Sequence, residues 1–235
     1  MNNQLTRKRA IIETLPTVLG YIGIGITVGI VGRAAGLNVL EVVLMSMITY
    51  GGSVQFVIIG MIINHSELLP ILLATFLVNA RMILISMSVA PYLEQESVFK
   101  NILLGSLLTD ETYVLSMNKI NYTKKRLNFE WLNISNLIAY FTWAIASFTG
   151  ALVGNYVETP QKFGLDFALI AMFIGLLYLQ IISEKEIKIG LQVLVIMFTL
   201  FIMYFGLVFV SANILVLLVT ILGCLFGVIM KNVFF

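Results

Sequence analysis

The chain alternates long apolar stretches with short polar links. Aliphatic and aromatic residues dominate near 15–31, 39–63, 68–92, 98–117, 132–157, 163–183, 187–210 and 212–230. Each stretch approaches or exceeds the roughly 20 apolar residues that carry an α-helix through bilayer hydrocarbon. The pattern predicts an all-α polytopic membrane bundle of about seven to eight transmembrane segments. Only Asn118 to Trp131 forms a long polar connector. It divides a single transmembrane domain, 1–235, into 1–118, a cytoplasmic loop at 119–131, and a second helical part at 132–235.

Three polar islands interrupt this pattern. The first is Tyr50-Gly51-Gly52-Ser53-Val54-Gln55-Phe56, in the middle of Val39–Ile63. Glycine weakens a helix, and hydrocarbon cannot satisfy the Gln55 amide. Polar or irregular backbone at membrane depth persists only where it is buried in protein or lines a cavity. On a straight helix Gln55 overhangs Gly51 and Gly52, making a small concavity. Alternatively the helix unwinds there and offers backbone groups. The competing expectation is an interhelical hydrogen bond from Gln55 that only holds the bundle together.

The second island is Asn79-Ala80-Arg81. A guanidinium at this depth costs several kcal/mol unless it has a partner or water. The third is Thr109-Asp110-Glu111-Thr112. On a straight helix Asp110 aligns with Ser106 and Tyr113, whereas Glu111 shares an apolar edge with Leu107, Leu108, Val114 and Leu115. Asp110 is therefore expected to pair with Arg81, and Glu111 to be the group that takes up a proton. The alternative places the tetrad at the cytoplasmic edge, where both acids reach water. Some of these stretches are expected to be broken at mid-membrane.

Composition agrees: 60% of residues are hydrophobic and 11% charged, which excludes a soluble domain. The placement of charge matters more than the net +2. Arg7, Lys8, Arg9, Lys119, Lys124, Lys125, Arg126, Lys185, Lys188 and Lys231 fall on one side if eight segments cross. Arg33, Lys100 and Lys162, with Glu94, Glu96 and Glu158, fall on the other. That distribution predicts both termini in the cytoplasm. The first apolar run lacks a small-residue cleavage site, so it is expected to be a retained helix. Gly25/Gly29, Gly32/Gly36, Ala146/Gly150/Gly154 and Gly223/Gly227 are small-xxx-small pairs that let helices approach closely. Cys224 is the single cysteine, so no intrachain disulfide forms. No P-loop, dinucleotide glycine pattern, HExxH pair or His/Cys cluster occurs. No cofactor, metal or nucleic acid is expected, and no enzyme. A channel or scaffold using the islands as glue remains a competing class, and an intramembrane hydrolase lacks its second acid or serine–histidine pair.

Together and in this order, the islands resemble the AzlC family of branched-chain amino acid permeases. The resemblance runs through Leu15-Pro16 to Gly20-Tyr21, Ala35-Gly36-Leu37, Met45-Ser46 and Gly51 to Phe56. It continues with Asn79-x-Arg81, Ser88-Val89-Ala90-Pro91-Tyr92-Leu93 and Leu108 to Tyr113. It implies a bacterial inner-membrane exporter of leucine, isoleucine, valine and also methionine, working with a small hydrophobic AzlD-type subunit. Two departures stand out. Met82 follows Arg81 where the family usually has histidine, and Ile24 precedes Gly25 where the family has Pro-Phe.

For a zwitterionic substrate with an apolar side chain, Arg81 or the opened backbone at Gly51, Gly52 and Ser53 is expected to take the carboxylate. Asp110 would take the ammonium, and Gln55 and Asn79 would orient the amino-acid backbone. Energy would come from the proton gradient or membrane potential, with Glu111 or Asp110 as the coupling acid.

Overall fold

The computed structural model describes residues 4–124, 126–156, 174–175, 177–178, 181–182, 187–209 and 212–234. The chain forms two compact units, Met1–Leu177 and Tyr178–Phe235. The described residues of the first contain α1 (Arg7–Ala34), α2 (Val39–Ile48), α3 (Gly52–Ile63), α4 (Leu68–Asn79) and α5 (Arg81–Val89). A 3-10 turn (Ala90–Leu93), α6 (Val98–Ser106), α7 (Asp110–Ile120) and α8 (Phe129–Val153) follow. The second contains α9 (Ile189–Gly206) and α10 (Ala212–Phe234). The described regular elements are all helical, as the hydropathy pattern predicts. Most of the stretch 163–183 lies outside the described residues, as do Lys125, Glu158, Lys162 and Lys185.

Helices α1 and α8 run parallel and form the frame of the first unit. At the end where the chain begins, Arg7 pairs with Glu130 at 3.0 Å. At the far end the Arg33 Nε–H donates to Asn155 Oδ1 at 3.0 Å. Between them the small residues expected from spacing form the contact. A Cβ on Gly25 would lie 2.7 Å from that of Ala146. One on Gly29 would strike the backbone of Ser147 and Ala151, and one on Gly150 the carbonyl of Ile26. Backbone meets backbone here, which is how helices pack when lipid provides no hydrophobic drive.

Two of the apolar stretches turn back on themselves. Val42 of α2 and Ile59 of α3 both lie beside Gly32, near the far end of α1. A straight helix would hold residues 42 and 59 about 25 Å apart. Ser46 and Gln55 likewise meet across the turn at 2.8 Å. The α2–α3 segment therefore enters from the far end, turns at Thr49–Gly51 and leaves by the same end. The α6–α7 segment mirrors it from the other end. Lys100 lies 5.1 Å from the Phe129 ring centroid, and Lys119 lies 5.6 Å from that of Trp131. Both extremities of the segment thus sit at the start of α8, with the turn at Leu107–Thr109 in the bundle.

Among the described residues of this unit, α1, α4–α5 through Leu93, and α8 are each long and apolar enough to cross a membrane. The stretch 39–63 and the stretch 98–117 were expected to cross as well. They are re-entrant hairpins, because hydropathy records the length of an apolar run and not its direction. This corrects the sidedness of one connector. Glu94, Glu96 and Lys100 lie at the same end as Arg7, Lys8, Arg9 and Lys119. Arg33 lies at the opposite end.

The chain-start end is held by buried charge as well as by apolar contact. Lys119, 5% exposed, pairs with Glu13 at 2.6 Å, and Glu13 also accepts the Trp131 indole N–H at 3.0 Å. Around these lie Ala10, Leu104, Ile120, Leu127 and Leu132. Glu96 accepts from Lys100 at 2.7 Å and from the Phe129 N–H at 2.9 Å, closing the first turn of α8. In the second unit α9 and α10 pack through stacked Phe198 and Phe226, whose centroids are 3.8 Å apart. Gly223 faces Thr199, and Gly227 faces Val195.

Two outcomes follow from these contacts. Gly150→Val forces α1 and α8 apart and lowers stability by about 1–3 kcal/mol or more, whereas Gly20→Ala, with open space at its Cβ, is tolerated. Thermal unfolding of the two variants in detergent measures the difference. The second outcome concerns Glu96, held below its usual 4.5 by the Lys100 hydrogen bond and then by the Phe129 N–H. A lowered carboxylate contributes stability above the unfolded-state value and loses it as pH falls through the folded one. Melting temperatures across acidic pH should drop over that window, and Glu96→Gln should flatten the drop.

Candidate functional site

The two hairpin tips meet the break between α4 and α5 midway along α1 and α8. Their surroundings form a small cavity. It is lined by parts of all three islands: Tyr50 to Ser53, Asn79 to Met82 without Ala80, and Thr109 to Glu111. Tyr21 of α1 and Trp143 of α8 complete it.

Each island breaks a helix for its own reason. Tyr50 has φ +39, a left-handed conformation that costs a non-glycine residue ~1–3 kcal/mol. Its ring is wedged edge-on against Tyr140 at 4.8 Å. Gly51 then caps α3 with extended backbone and no side-chain hydrogen bond. The N–H groups of Gly52, Ser53 and Val54 precede the first helical bond, from Gln55 N to Gly51 O at 3.0 Å. They form the positive start of a helix.

At the other tip Thr109 is an N-cap. Its Oγ1 accepts the Thr112 N–H at 3.3 Å, and Thr112 Oγ1 accepts the Thr109 N–H at 3.0 Å. Asp110 and Glu111 therefore occupy the first turn of a helix, where acids oppose the positive end. The straight-helix faces expected for them do not exist, because the chain turns at Leu107–Thr109.

Arg81 starts α5. Its Nη2 donates to Ser53 Oγ at 3.0 Å and pairs with Asp110 at 2.8 Å. The expected pairing of Arg81 with Asp110 is present, and it ties the two hairpin tips to the central crossing. Glu111 accepts from the Tyr21 hydroxyl at 2.6 Å. Asn79 lies at the end of α4 with its Oδ1 toward Gly51. Gly51, Gly52, Ser53, Asn79, Arg81, Asp110 and Glu111 are thus brought to one cavity.

Gln55 is not among them. It is fully buried behind the tip, donating to Ser46 at 2.8 Å and accepting the Trp143 indole N–H at 2.7 Å. Both ends of its amide are occupied, which is the bundle-holding role weighed above. The sequence reading did not select the aromatic and sulfur wall: Tyr21, Tyr50, Met82 and Trp143. Nothing in hydropathy separates these from ordinary core residues. The helix start at Thr109 did carry a signal, a threonine followed by two acids, which is a capping pattern. Among the described residues no His, Cys, Asp and Glu group is arranged to hold a metal.

Fold and cavity together define a multi-pass helical membrane protein with polar side chains concentrated at the bundle centre. The chain belongs to the AzlC protein family, which matches residues 16–157 and so every residue of the cavity. A relative from Helicobacter pylori J99, described as an uncharacterized membrane protein, is 27% identical over 83% of this chain and 85% of its own. The branched-chain amino acid transport protein AzlC of Bacillus subtilis 168 is 26% identical over 74% of this chain and 67% of its own. The inner membrane protein YgaZ of Escherichia coli K12 is 27% identical over 70% and 69%. No solved structure matches.

Because Gln55 ties α2, α3 and α8 together, Gln55→Leu strands the buried Trp143 N–H and Ser46 hydroxyl. A loss of about 1–3 kcal/mol is expected, read as a lower melting temperature in detergent.

Proposed function

We propose that this chain is a secondary transporter that exports branched-chain amino acids across the bacterial cytoplasmic membrane. The observation that carries this reading is the mid-depth cavity, in which one cation, two acids and an uncapped helix start face an aromatic wall. These are complementary to a small zwitterion with an apolar side chain. Half-helix starts aimed at an anionic group recur in transporters built from broken helices. The name of the Bacillus subtilis relative supports the substrate class.

In this reading the carboxylate sits at Arg81, Ser53 and the N–H groups of Gly52 and Ser53, with Asn79 alongside. The ammonium sits at Asp110, near Glu111. The side chain lies against Tyr21, Tyr50, Met82 and Trp143, and methionine fits the same wall. Since Arg81 and Asp110 already pair, binding exchanges one ion pair for two. The pair keeps the empty site neutral and opens only for a ligand carrying both charges. The α2–α3 hairpin closes the site toward the far end, and the α6–α7 hairpin closes it toward the chain start. Movement of one tip at a time gives alternating access.

In this reading the chain-start end is cytoplasmic, and the positive-inside rule supports it through Arg7, Lys8, Arg9, Lys100, Lys119, Lys124 and Arg126. The charge pattern of the sequence supports a cytoplasmic C-terminus as well. Glu111, with Asp110, couples transport to the proton gradient or membrane potential. A small hydrophobic subunit of the AzlD type is the expected partner.

Efflux of preloaded labelled leucine from cells expressing the chain with such a subunit tests the reading. Expression should speed efflux, and Asp110→Asn should reduce it on the order of tenfold at equal membrane abundance. Equal efflux from expressing, mutant and empty cells, across a panel of amino acids, would reject transport.

A further inference from the structure

The hydrogen bonds of Tyr21 set it apart from the other residues of the cavity wall. Its hydroxyl lies 2.6 Å from Glu111 Oε2 and 2.8 Å from Thr109 Oγ1, with the side chain 5% exposed. Thr109 Oγ1 lies 3.3 Å from Thr112 Oγ1, a contact in which either oxygen can donate. The result is a chain of four groups, Glu111, Tyr21, Thr109 and Thr112, running from the cavity acid to the capping box that turns the α6–α7 tip. The Tyr21 ring is fixed edge-on to Trp143, with centroids 5.1 Å apart, so the hydroxyl has little freedom to leave.

A phenol has one hydrogen and two neighbours here, which allows two complete arrangements. With Glu111 ionised, Tyr21 donates to the carboxylate and accepts from the Thr109 hydroxyl. With Glu111 protonated by one proton from the cavity water, the carboxylic acid donates to Tyr21. The Tyr21 hydrogen then turns to Thr109, whose own hydrogen turns to Thr112. No donor is stranded in either arrangement, and the O–H formed on Glu111 replaces one broken in a solvent hydronium ion, which becomes water. Between the two, the Thr109 hydroxyl changes from donor to acceptor toward Tyr21. That hydroxyl is also the N-cap of α7.

We infer that Tyr21 is a positioning residue that keeps Glu111 hydrogen-bonded in both protonation states and passes its state to the α6–α7 tip. The inference takes its consequence for transport from the transporter reading, while its geometry stands apart from it. The other titratable or charged groups facing Glu111 are Asp110 on its own helix, Arg81 of α5 and Tyr50 of the α2–α3 tip. Arg81 is engaged with Asp110 and Ser53, and the Tyr50 hydroxyl has no hydrogen-bond partner. Among the described residues, the Tyr21 hydroxyl bonds the Glu111 carboxylate at 2.6 Å, and the Thr109 hydroxyl and the Glu111 N–H are also within reach of that carboxylate.

The test uses the full chain in liposomes and the Tyr21→Phe variant, which keeps the ring against Trp143. Infrared difference spectra across pH follow the carboxylic acid band of Glu111, assigned with Glu111→Gln. The expected result is a band shifted in frequency and a titration midpoint moved by about one pH unit, the size of one hydrogen bond to a charged group. Thr109→Val should also move the midpoint, and Thr109→Ser should restore it. An unchanged band and midpoint in Tyr21→Phe overturns the inference.

Transport supplies a second readout. Tyr21→Phe should lower proton-driven flux of labelled leucine on the order of tenfold further than it lowers gradient-free exchange. Proportional loss of both would make Tyr21 merely structural and overturn the inference. Absence of leucine flux in the unmodified chain would reject the transporter reading alone, and the infrared titration would still decide the role of Tyr21.

Discussion

A helix interrupted in hydrocarbon exposes N–H and C=O groups that lipid cannot satisfy, and the first unit is arranged around that constraint. Among the described residues, interruptions at Thr49–Gly51, between Asn79 and Arg81, and at Leu107–Thr109 converge on one cavity. The start of α7 is met by the Thr109–Thr112 capping box and its two acids, while the start of α3 has no side-chain cap. Each break on its own would be costly at membrane depth. Gathered at one place they leave a polar centre.

That centre requires a rigid surround, which α1 and α8 provide. Their contact at Gly25, Gly29 and Gly150 is close enough that backbone touches backbone. From this pair Tyr21 and Trp143 project inward at the level of the breaks. Each serves a hairpin: Trp143 holds Gln55 behind the α2–α3 tip, and Tyr21 holds Glu111 and Thr109 at the α6–α7 tip. The tightest packing in the unit and its most polar cavity are therefore two parts of one arrangement.

The strain at Tyr50 and the ion pair between Arg81 and Asp110 belong to the same arrangement. A tyrosine at positive φ persists because Tyr140 and the turn around it over-determine the conformation. The ion pair crosses between the central span and a hairpin tip, so any motion of that tip must lengthen it. A site closed by bonds between its own moving parts is one whose state can respond to a ligand that replaces them.

The sequence alone determined the all-helical membrane class, the small-residue contacts between α1 and α8 and the three polar islands. Each follows from chemistry within a few residues: apolar length, the absence of a Cβ, or a charge that hydrocarbon excludes. It also paired Arg81 with Asp110, since opposite charges at depth have few other partners. The expected Gly32/Gly36 pair is not a contact, because α1 ends before Gly36, which turns at φ +89 with open space beside it. Direction was decided only by the tertiary structure. The runs 39–63 and 98–117 read as crossings because hydropathy is blind to a reversal made by one left-handed tyrosine or one threonine cap. The same blindness hid the aromatic wall, whose residues look like core until α1 and α8 bring them to the cavity. Gln55 illustrates the remainder: its polarity marked the right place, and only packing assigned it to Ser46 and Trp143 rather than to the open site.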